Sequence, residues 1–270
     1  MRFAICNETY EDWPFERVCD DIAACGYEGV EVAPFTLGPD PAALTEAHAA
    51  ALGEVARKAG LEVCGLHWLL VKPEGLHLTT SDDAVRGRTV GFLQHLARIC
   101  GALGGSVMVL GSPRQRSVLD GEAYADAFHR AADACRAVCE VAGPLGVTLA
   151  FEPLTPEDTN FLASADEAAR LMRVVDHDAC KMHLDVRAMC SETRPIPELI
   201  ATHGGDLAHF HANDKNLRGP GTGDVDYAPI ARALHDVGYD GWVSVEVFDY
   251  APDGPTVARE SLEYLRRVFA

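Results

Sequence analysis

Short apolar runs alternate with longer amphipathic stretches from one end of the chain to the other. The short runs have the length and composition of β-strands, whereas the longer stretches repeat apolar residues every three to four positions, as helices do. The predicted strands are Phe3–Asn7, Gly29–Ala33, Glu62–Trp68, Ser106–Gly111, Val147–Glu152, Cys180–Asp185, Ala208–His211 and Trp242–Phe248. The predicted helices are Phe15–Cys25, Pro41–Ala59, Asp82–Leu103, Ala123–Ala142, Ala165–Val175, Ile196–His203, Tyr227–Val237 and Thr256–Phe269.

Strict alternation of strands and helices predicts an α/β fold with a parallel sheet, and eight repeats predict that the sheet closes into a (β/α)₈ TIM barrel. We expect one domain over residues 1–270, because a barrel of this kind takes about 250 residues. An open doubly wound sheet is the structural alternative. The first predicted strand lacks the GxGxxG motif that a dinucleotide-binding version of that sheet carries.

Residues that begin and end helices stand at several of the predicted boundaries. Ser81 and Ser164 occupy expected N-cap positions. Gly26, Gly60 and Gly238 follow the last apolar position of their helices, where a left-handed glycine often ends a helix. These residues support the boundaries that the hydrophobic pattern predicts.

Composition and charge narrow the classes of function. The chain is 48% hydrophobic and 24% charged, which is typical of a globular protein with a substantial core. Its formal charge of −18 disfavours binding to nucleic acid or anionic lipid. The first residues show no export signal and no apolar run is long enough to span a membrane, so we expect a cytoplasmic protein. The nine cysteines have no CxxC spacing, which favours reduced thiols.

The later predicted strands alternate between an apolar face and a polar face. In a barrel the apolar face packs against the helices, so the polar face points into the lumen. The last polar residue of each strand then lies at the C-terminal mouth, where the active sites of TIM barrels are found. The residues in this position on four successive strands are Glu152, Asp185, His211 and Glu246.

Three carboxylates and one imidazole at one mouth predict a metal centre. Like charges at close range resist joint ionisation, and a divalent cation removes that conflict. Oxygen and nitrogen donors of this kind suit Mn²⁺ best in our interpretation, with Co²⁺, Mg²⁺ and Zn²⁺ as alternatives. A single glutamate or histidine at a strand end is more often a hydrogen-bonded structural residue, but four on successive strands favour a metal site.

Five segments together resemble the sugar phosphate isomerase/epimerase family of xylose isomerase-like barrels. The segments are FEPL, HLDV, HFHANDKN, RGPGTGDVDY and GYDGWVSVEVF, and they contain the four strand-end residues. The resemblance covers nearly the whole chain and is most specific between Ala150 and Phe248. It points to the branch that contains the ketose 3-epimerases and hydroxypyruvate isomerase.

The resemblance implies that Glu152, Asp185, His211 and Glu246 bind one divalent metal ion. It also implies that Glu152 and Glu246 move protons during epimerisation or isomerisation of a small carbohydrate through an enediolate. The chemistry is consistent with this, because a proton beside a carbonyl needs a Lewis acid as well as a carboxylate base. The expected partner is therefore a small-molecule sugar, and a homo-oligomer is compatible with the fold.

Two positions depart from the pattern of the ketose 3-epimerases. Those enzymes carry a substrate-binding histidine three residues after the metal-binding aspartate, where this chain has Ala188. They also carry an arginine six residues after the metal-binding histidine, where this chain has Leu217 followed by Arg218. We therefore expect different substrate contacts, with Arg187 and Arg218 as candidates.

His67 and Trp68 are further candidates for substrate binding, because they end the third predicted strand. For Arg187 a surface salt bridge is an equal alternative, and for His67 and Trp68 the alternative is core filling. Other residues left open are Glu31, which faces either the lumen or a helix, and Lys181 and His183, which lie deeper than Asp185 on their strand. The glycines of the loop after the seventh strand are expected to permit a tight loop over the site, with phosphate binding as the alternative, and they are Gly219, Gly221 and Gly223.

Other functions remain possible on the same fold. A metal-dependent lyase or deglycosidase would use the same proton abstraction beside a carbonyl. An endonuclease IV-like nuclease needs more histidines than this chain places at its strand ends, and the acidic charge also disfavours it. A non-catalytic sugar-binding protein would be expected to lack one of the paired glutamates, and both are present.

Overall fold

Eight parallel strands form a closed barrel in the computed structural model, which describes residues 1–270. Each strand pairs with its neighbours in chain order, and β8 pairs with β1 to complete the ring. The strands are β1 Arg2–Cys6, β2 Gly29–Val32, β3 Glu62–Leu66, β4 Val107–Leu110, β5 Thr148–Phe151, β6 Cys180–Asp185, β7 Leu207–Ala212 and β8 Trp242–Val245. The predicted TIM barrel is confirmed, and the open sheet is excluded.

Nine helices surround or cap the barrel. They are α1 Phe15–Cys25, α2 Glu46–Lys58, α3 Asp83–Leu103, α4 Tyr124–Ala142, α5 Ala165–Val175, α6 Val186–Met189, α7 Ile196–His203, α8 Tyr227–Asp236 and α9 Gly254–Val268. Three of them, α1, α5 and α7, agree with the prediction residue for residue. The short helix α6 was not predicted, because four residues are too few to show a helical period.

The structure corrects the start of one predicted helix and the N-cap of another. The helix expected from Pro41 is a 3₁₀ turn over Pro41–Ala43, and α2 begins only at Glu46, where the Thr45 hydroxyl accepts a hydrogen bond from the His48 amide at 3.1 Å. The N-cap of α3 is Asp82 and not Ser81, because the Asp82 carboxylate accepts from two amides of the first turn. A carboxylate at this place also interacts favourably with the helix dipole.

The other predicted caps are confirmed. The hydroxyl of Ser164 accepts from the Glu167 amide at 3.3 Å. Gly26, Gly60 and Gly238 have φ values of 97°, 86° and 71°, which are left-handed conformations that favour glycine.

The main core lies between the barrel wall and the outer helices. It is one cluster of 66 buried apolar residues that includes Ile5 on β1 and Leu265 on α9. Two small clusters are separate from it, and Trp242 and Ala150 belong to one each. The barrel interior also contains fully buried polar side chains. Glu31 is one of them, so its side chain faces the lumen and not a helix. The polar lining is what the alternation along the strands predicted.

All nine cysteines are free thiols, as their spacing indicated. None of the helices combines the length and the apolar character that crossing a bilayer requires.

Candidate active site

Four predicted ligands meet at the C-terminal mouth of the barrel. One donor atom from each lies within 4.8 Å of the donor atoms of the others, and all four side chains are buried. Asp185 and His211 belong to β6 and β7, whereas Glu152 and Glu246 are the first residues after β5 and β8. The four residues are Glu152, Asp185, His211 and Glu246.

The two glutamates have opposite shifts in pKa. Burial raises the pKa of Glu152 well above its ordinary value, and the charges of Glu246 and Asp185 raise it further. Burial also acts to raise the pKa of Glu246, but the imidazoles of His211 and His67 outweigh it and lower the pKa to about 2. The surroundings therefore favour the protonated form of Glu152 and the ionised form of Glu246, and such a separation of pKa values is typical of acid and base pairs.

Asp185 is held by two hydrogen bonds that orient its carboxylate. Its Oδ1 accepts from the amide of Ala188 at 2.7 Å, at the start of α6. Its Oδ2 accepts from the side-chain amide of Asn213 at 2.5 Å. Burial and the nearby Glu246 nevertheless raise the pKa of Asp185 to about 6. The crowded carboxylates therefore lack sufficient positive charge among the protein's own groups.

His67 bridges two carboxylates and has no free ring nitrogen. Its Nδ1 is 3.0 Å from Oε1 of Glu246, and its Nε2 is 2.8 Å from Oε2 of Glu8. Burial acts to lower the pKa of His67, but Glu8 and Glu246 outweigh it and raise the pKa to about 10. The imidazole thus orients Glu246 from the side of β3. Its role in substrate binding stays a prediction.

A cavity of about 250 Å³ lies beside two of the four candidate ligands. Glu152 and Glu246 line it, as do the predicted substrate-binding residues His67, Trp68 and Arg187. Arg218 does not line the cavity, because its side chain turns outward and donates to the carbonyl of Ala251 at 2.8 Å. The other lining residues are Gly111, Ser112, Pro113, Leu154, Asp158, Leu217 and Phe248.

Three of the six residues other than glycine that have a positive φ line this cavity. Trp68, Ser112 and Leu217 have φ values of 53°, 40° and 69°, which are left-handed conformations that side chains other than glycine rarely adopt. Strain of this kind costs on the order of 1–3 kcal/mol per residue and tends to cluster at functional sites. The three strained residues all contribute to the cavity wall.

An ion pair inside the cavity was not predicted from the sequence. Nη1 of Arg187 donates to Oδ2 of Asp158 at 2.8 Å, and the guanidinium lies 5.4 Å from the ring centre of Phe248. The alternative of a surface salt bridge for Arg187 is only partly correct, because the pair lies in the cavity wall. Asp158 sits in a loop with no periodic pattern, so only its position six residues after Glu152 could have drawn attention to it.

The remaining candidates have other surroundings. Lys181 is 3.6 Å from Asp206 in a partly exposed ion pair. His183 is fully buried, and both of its ring nitrogens lack a hydrogen-bond partner. In the loop after β7, the Gly223 amide donates to Asp214, and an added Cβ at Gly221 would overlap Tyr264. The close packing supports a tight loop.

The donor set fits a divalent cation. Three carboxylates and one imidazole supply oxygen and nitrogen ligands, which suit hard and borderline ions. The raised pKa values of Glu152 and Asp185 have the same implication, because a cation would relieve the repulsion that raises them. No cysteine belongs to this group of four, so a thiol-bound site is not indicated.

Gly111 provides a direct test of the geometry around Glu152. A methyl group at this position would overlap Oε2 of Glu152, which is the movable end of a side chain. We therefore expect Gly111→Ala to fold normally but to lower kcat/KM by about 100-fold, because a displacement of about 1 Å can cost that much. Gly121→Ala, where nothing lies within 4 Å but φ is 83°, is a control for backbone strain. Equal activity of Gly111→Ala and the wild type would contradict this position for Glu152.

The fold and the site together define a class of protein, the (β/α)₈ barrels with a candidate metal centre at the C-terminal mouth. The chain belongs to the xylose isomerase-like TIM barrel family, whose model matches residues 19–268. A probable ketose 3-epimerase of Synechocystis sp. is 25% identical over 94% of this chain and 91% of that protein.

Other relatives carry similar names. A D-psicose 3-epimerase of Ruminiclostridium cellulolyticum is 33% identical over 45% of this chain, which is 41% of that enzyme. With several curated relatives, the match spans about half of the relative's length or less. A crystal structure of D-psicose 3-epimerase with D-fructose has a TM-score of 0.87 at 22% identity and covers 100% of this chain and 99% of that one. At this identity the likeness shows a common fold.

Proposed function

We propose that this protein is a divalent-metal-dependent epimerase of a small keto sugar. The observation that carries the proposal is a set of four side chains at one mouth of the barrel whose donor atoms lie within 4.8 Å of one another, namely Glu152, Asp185, His211 and Glu246. The ketose 3-epimerases among the relatives support the reaction class. We propose Mn²⁺ as the ion, with Co²⁺, Mg²⁺ and Zn²⁺ as alternatives of compatible ligand chemistry.

Glu152, Asp185, His211 and Glu246 would hold the ion. When bound, the ion supplies a Lewis acid that makes the proton on the carbon beside a carbonyl more acidic. Glu246 is the ionised carboxylate, so it removes that proton. Glu152 supplies a proton to the opposite face of the same carbon, which inverts the configuration there. The two residues follow β5 and β8, which are separated by two strands on one side of the ring and by four on the other, so they approach the substrate from different walls of the barrel.

The cavity favours a monosaccharide. Its volume of about 250 Å³ is below the range of about 300–1,000 Å³ that is typical of ligand pockets. Trp68 and Phe248 supply aromatic surface with their ring centres 6.1 Å apart. Arg187 and Asp158 supply a donor and an acceptor for sugar hydroxyls. The same volume leaves no room for a stretch of nucleic acid.

The direct test is a product analysis with a panel of ketoses and ketose phosphates. The metal-free protein is loaded with each of the four ions and incubated with each sugar, and the products are separated by chromatography. We expect one sugar to be converted into its epimer in a metal-dependent way. A shorter product would instead support the lyase or deglycosidase alternative, and conversion without metal would contradict the proposed centre.

Arg187 and Arg218 form a matched pair of variants for the substrate contacts. Arg187→Ala removes a guanidinium from the cavity wall, and a lost hydrogen bond to a charged group costs about 1.5–3 kcal/mol. We therefore expect kcat/KM to fall about 10–100-fold, mainly through a higher KM. Arg218→Ala is expected to change kcat/KM less than about twofold, because that side chain lies outside the cavity. Steady-state kinetics of both variants measure the two effects. Equal decreases in kcat/KM would contradict the role of Arg187 in substrate binding.

A further inference from the structure

A buried carboxylate on β2 lies directly behind the histidine of the candidate metal centre. Glu31 is fully buried in the lumen, and its Oε2 is 3.1 Å from Nε2 of His211. The same oxygen is 2.8 Å from Nε2 of His209 on β7. On the opposite side of the His211 ring, Nδ1 is 3.0 Å from Oε2 of Glu246. The ring of His211 therefore stands between the metal-ligand group and Glu31.

We propose that Glu31 is a positioning residue that fixes the tautomer and the orientation of His211 for metal binding. A neutral imidazole carries one proton, on either Nδ1 or Nε2. When a metal ion replaces the contact between Nδ1 and Glu246, the carboxylate of Glu31 accepts the hydrogen bond that keeps that proton on Nε2. The lone pair is then on Nδ1, the nitrogen that faces Glu246. The inference rests on the proposed metal centre and adds to it a residue outside the four ligands.

Glu31 is itself immobilised, which is what a positioning residue requires. His209 donates to it from β7, the strand that also carries His211. The thiol of Cys6 on β1 lies 3.7 Å from Oε2 of Glu31. The pairing of β2 with β3 is shifted between Val30 and Glu31, so an irregularity in the sheet occurs at this residue. Partners of this kind behind a metal-bound histidine typically contribute 10–100-fold in metal affinity.

A second metal ion is the competing interpretation of the same cluster. Cys6, Glu31, His67 and His211 also have donor atoms within 4.8 Å of one another, and a thiolate among them would suit zinc. That site would need His211 to bridge two ions through both ring nitrogens. It would also need His67 to bind through Nδ1, which already faces Glu246 at 3.0 Å. The hydrogen-bonded arrangement accounts for these contacts with one ion.

Calorimetric titration of metal-free protein with Mn²⁺ tests the proposal through binding and not through activity. We expect Glu31→Gln to bind one Mn²⁺ about 10–100-fold more weakly than the wild type. Cys64→Ser is the matched control, because Cys64 is also buried in the lumen near Glu31 but donates to the carbonyl of Val30. We expect this variant to retain the wild-type affinity within about twofold. Equal affinity of Glu31→Gln and the wild type would overturn the proposal.

A second measurement needs no variant at position 31. In the zinc-loaded wild type, the ¹⁵N spectrum of the histidine side chains reports which nitrogen of His211 carries the proton. We expect a protonated Nε2 and a metal-bound Nδ1, with the signals of His211 identified as those that are missing from the spectrum of His211→Gln. A metal-bound Nε2, or two Zn²⁺ per chain with both nitrogens bound, would overturn the proposal. Absence of metal binding by the wild type would contradict the proposed metal centre itself. Weaker metal binding by Glu31→Gln alone concerns only the role of Glu31.

Discussion

Glu246→Gln is expected to lower kcat by about 10²–10⁴-fold, because glutamine has nearly the same shape but cannot accept a proton. Glu246 is the ionised member of the pair, and the pKa of about 2 reflects the imidazoles of His211 and His67. The variant also loses the charge to which both imidazoles are hydrogen-bonded. Steady-state kinetics of the metal-loaded variant measure the effect. Glu260→Gln, on the exposed face of α9, is the control and should retain full activity.

Isotope exchange separates the two glutamates. If Glu246 and Glu152 serve different faces of the substrate, each glutamine variant loses the exchange of solvent deuterium into one epimer more than into the other. Glu152→Gln should therefore show the opposite preference to Glu246→Gln. Metal affinity is measured in parallel, because both residues are also candidate ligands. Two variants with normal metal affinity and unchanged exchange into both epimers would contradict the acid and base roles.

Asp185→Asn is expected to make the metal-free protein more stable at neutral pH relative to its stability at acidic pH, while it weakens metal binding. In the metal-free protein, burial and the charge of Glu246 raise the pKa of Asp185 to about 6. A carboxyl whose pKa is raised by folding binds protons more tightly in the folded state. The free energy of unfolding therefore falls as the pH rises from about 3.9 through about 6. Asparagine removes this penalty.

Compared with the wild type, Asp185→Asn is expected to be about 1–3 kcal/mol more stable at pH 7.5 than it is at pH 4, from the size of the shift in pKa. The loss of one hydrogen bond that the carboxylate accepts affects the stability at both pH values. Denaturant unfolding of chelator-treated protein at both pH values measures the difference. The affinity for the metal ion should fall by more than about 10–100-fold, which is the range for residues that only support a metal ligand. Asp206→Asn, at the opposite end of the barrel, should change neither quantity. A difference in stability between metal-free Asp185→Asn and the wild type that is the same at pH 7.5 and at pH 4 would contradict the crowding of the carboxylates.

The sequence predicted both the barrel and the convergence of the four candidate ligands at its mouth, for the same reason. Alternation with a period of two marks the lumen face of each strand, and the last residue on that face lies at the mouth. Residues whose position depends on loops were missed, among them Asp158 and Asn213. The partners of His67 were also missed, because Glu8 follows β1 and Glu246 follows β8, far apart in the chain. Contacts of this kind depend on barrel closure and sheet register.

The position of each arginine illustrates the same limit. Arg187 and Arg218 were equivalent candidates on the sequence, since both follow a predicted ligand closely. The structure places Arg187 in the cavity and turns Arg218 toward the carbonyl of Ala251. Local backbone geometry decides this, because Leu217 has φ 69° and lines the cavity in place of its neighbour. No hydrophobic period reports a single left-handed residue.

The most direct measurement is ¹H NMR of a keto sugar incubated in D₂O with the Mn²⁺-loaded protein, recorded after the metal is removed. The account predicts that one proton beside the carbonyl is replaced by deuterium while the epimer accumulates, and that Glu246→Gln suppresses both. Epimer formation with full retention of that proton, or no exchange in any ketose or ketose phosphate tested, would contradict proton transfer by the two glutamates.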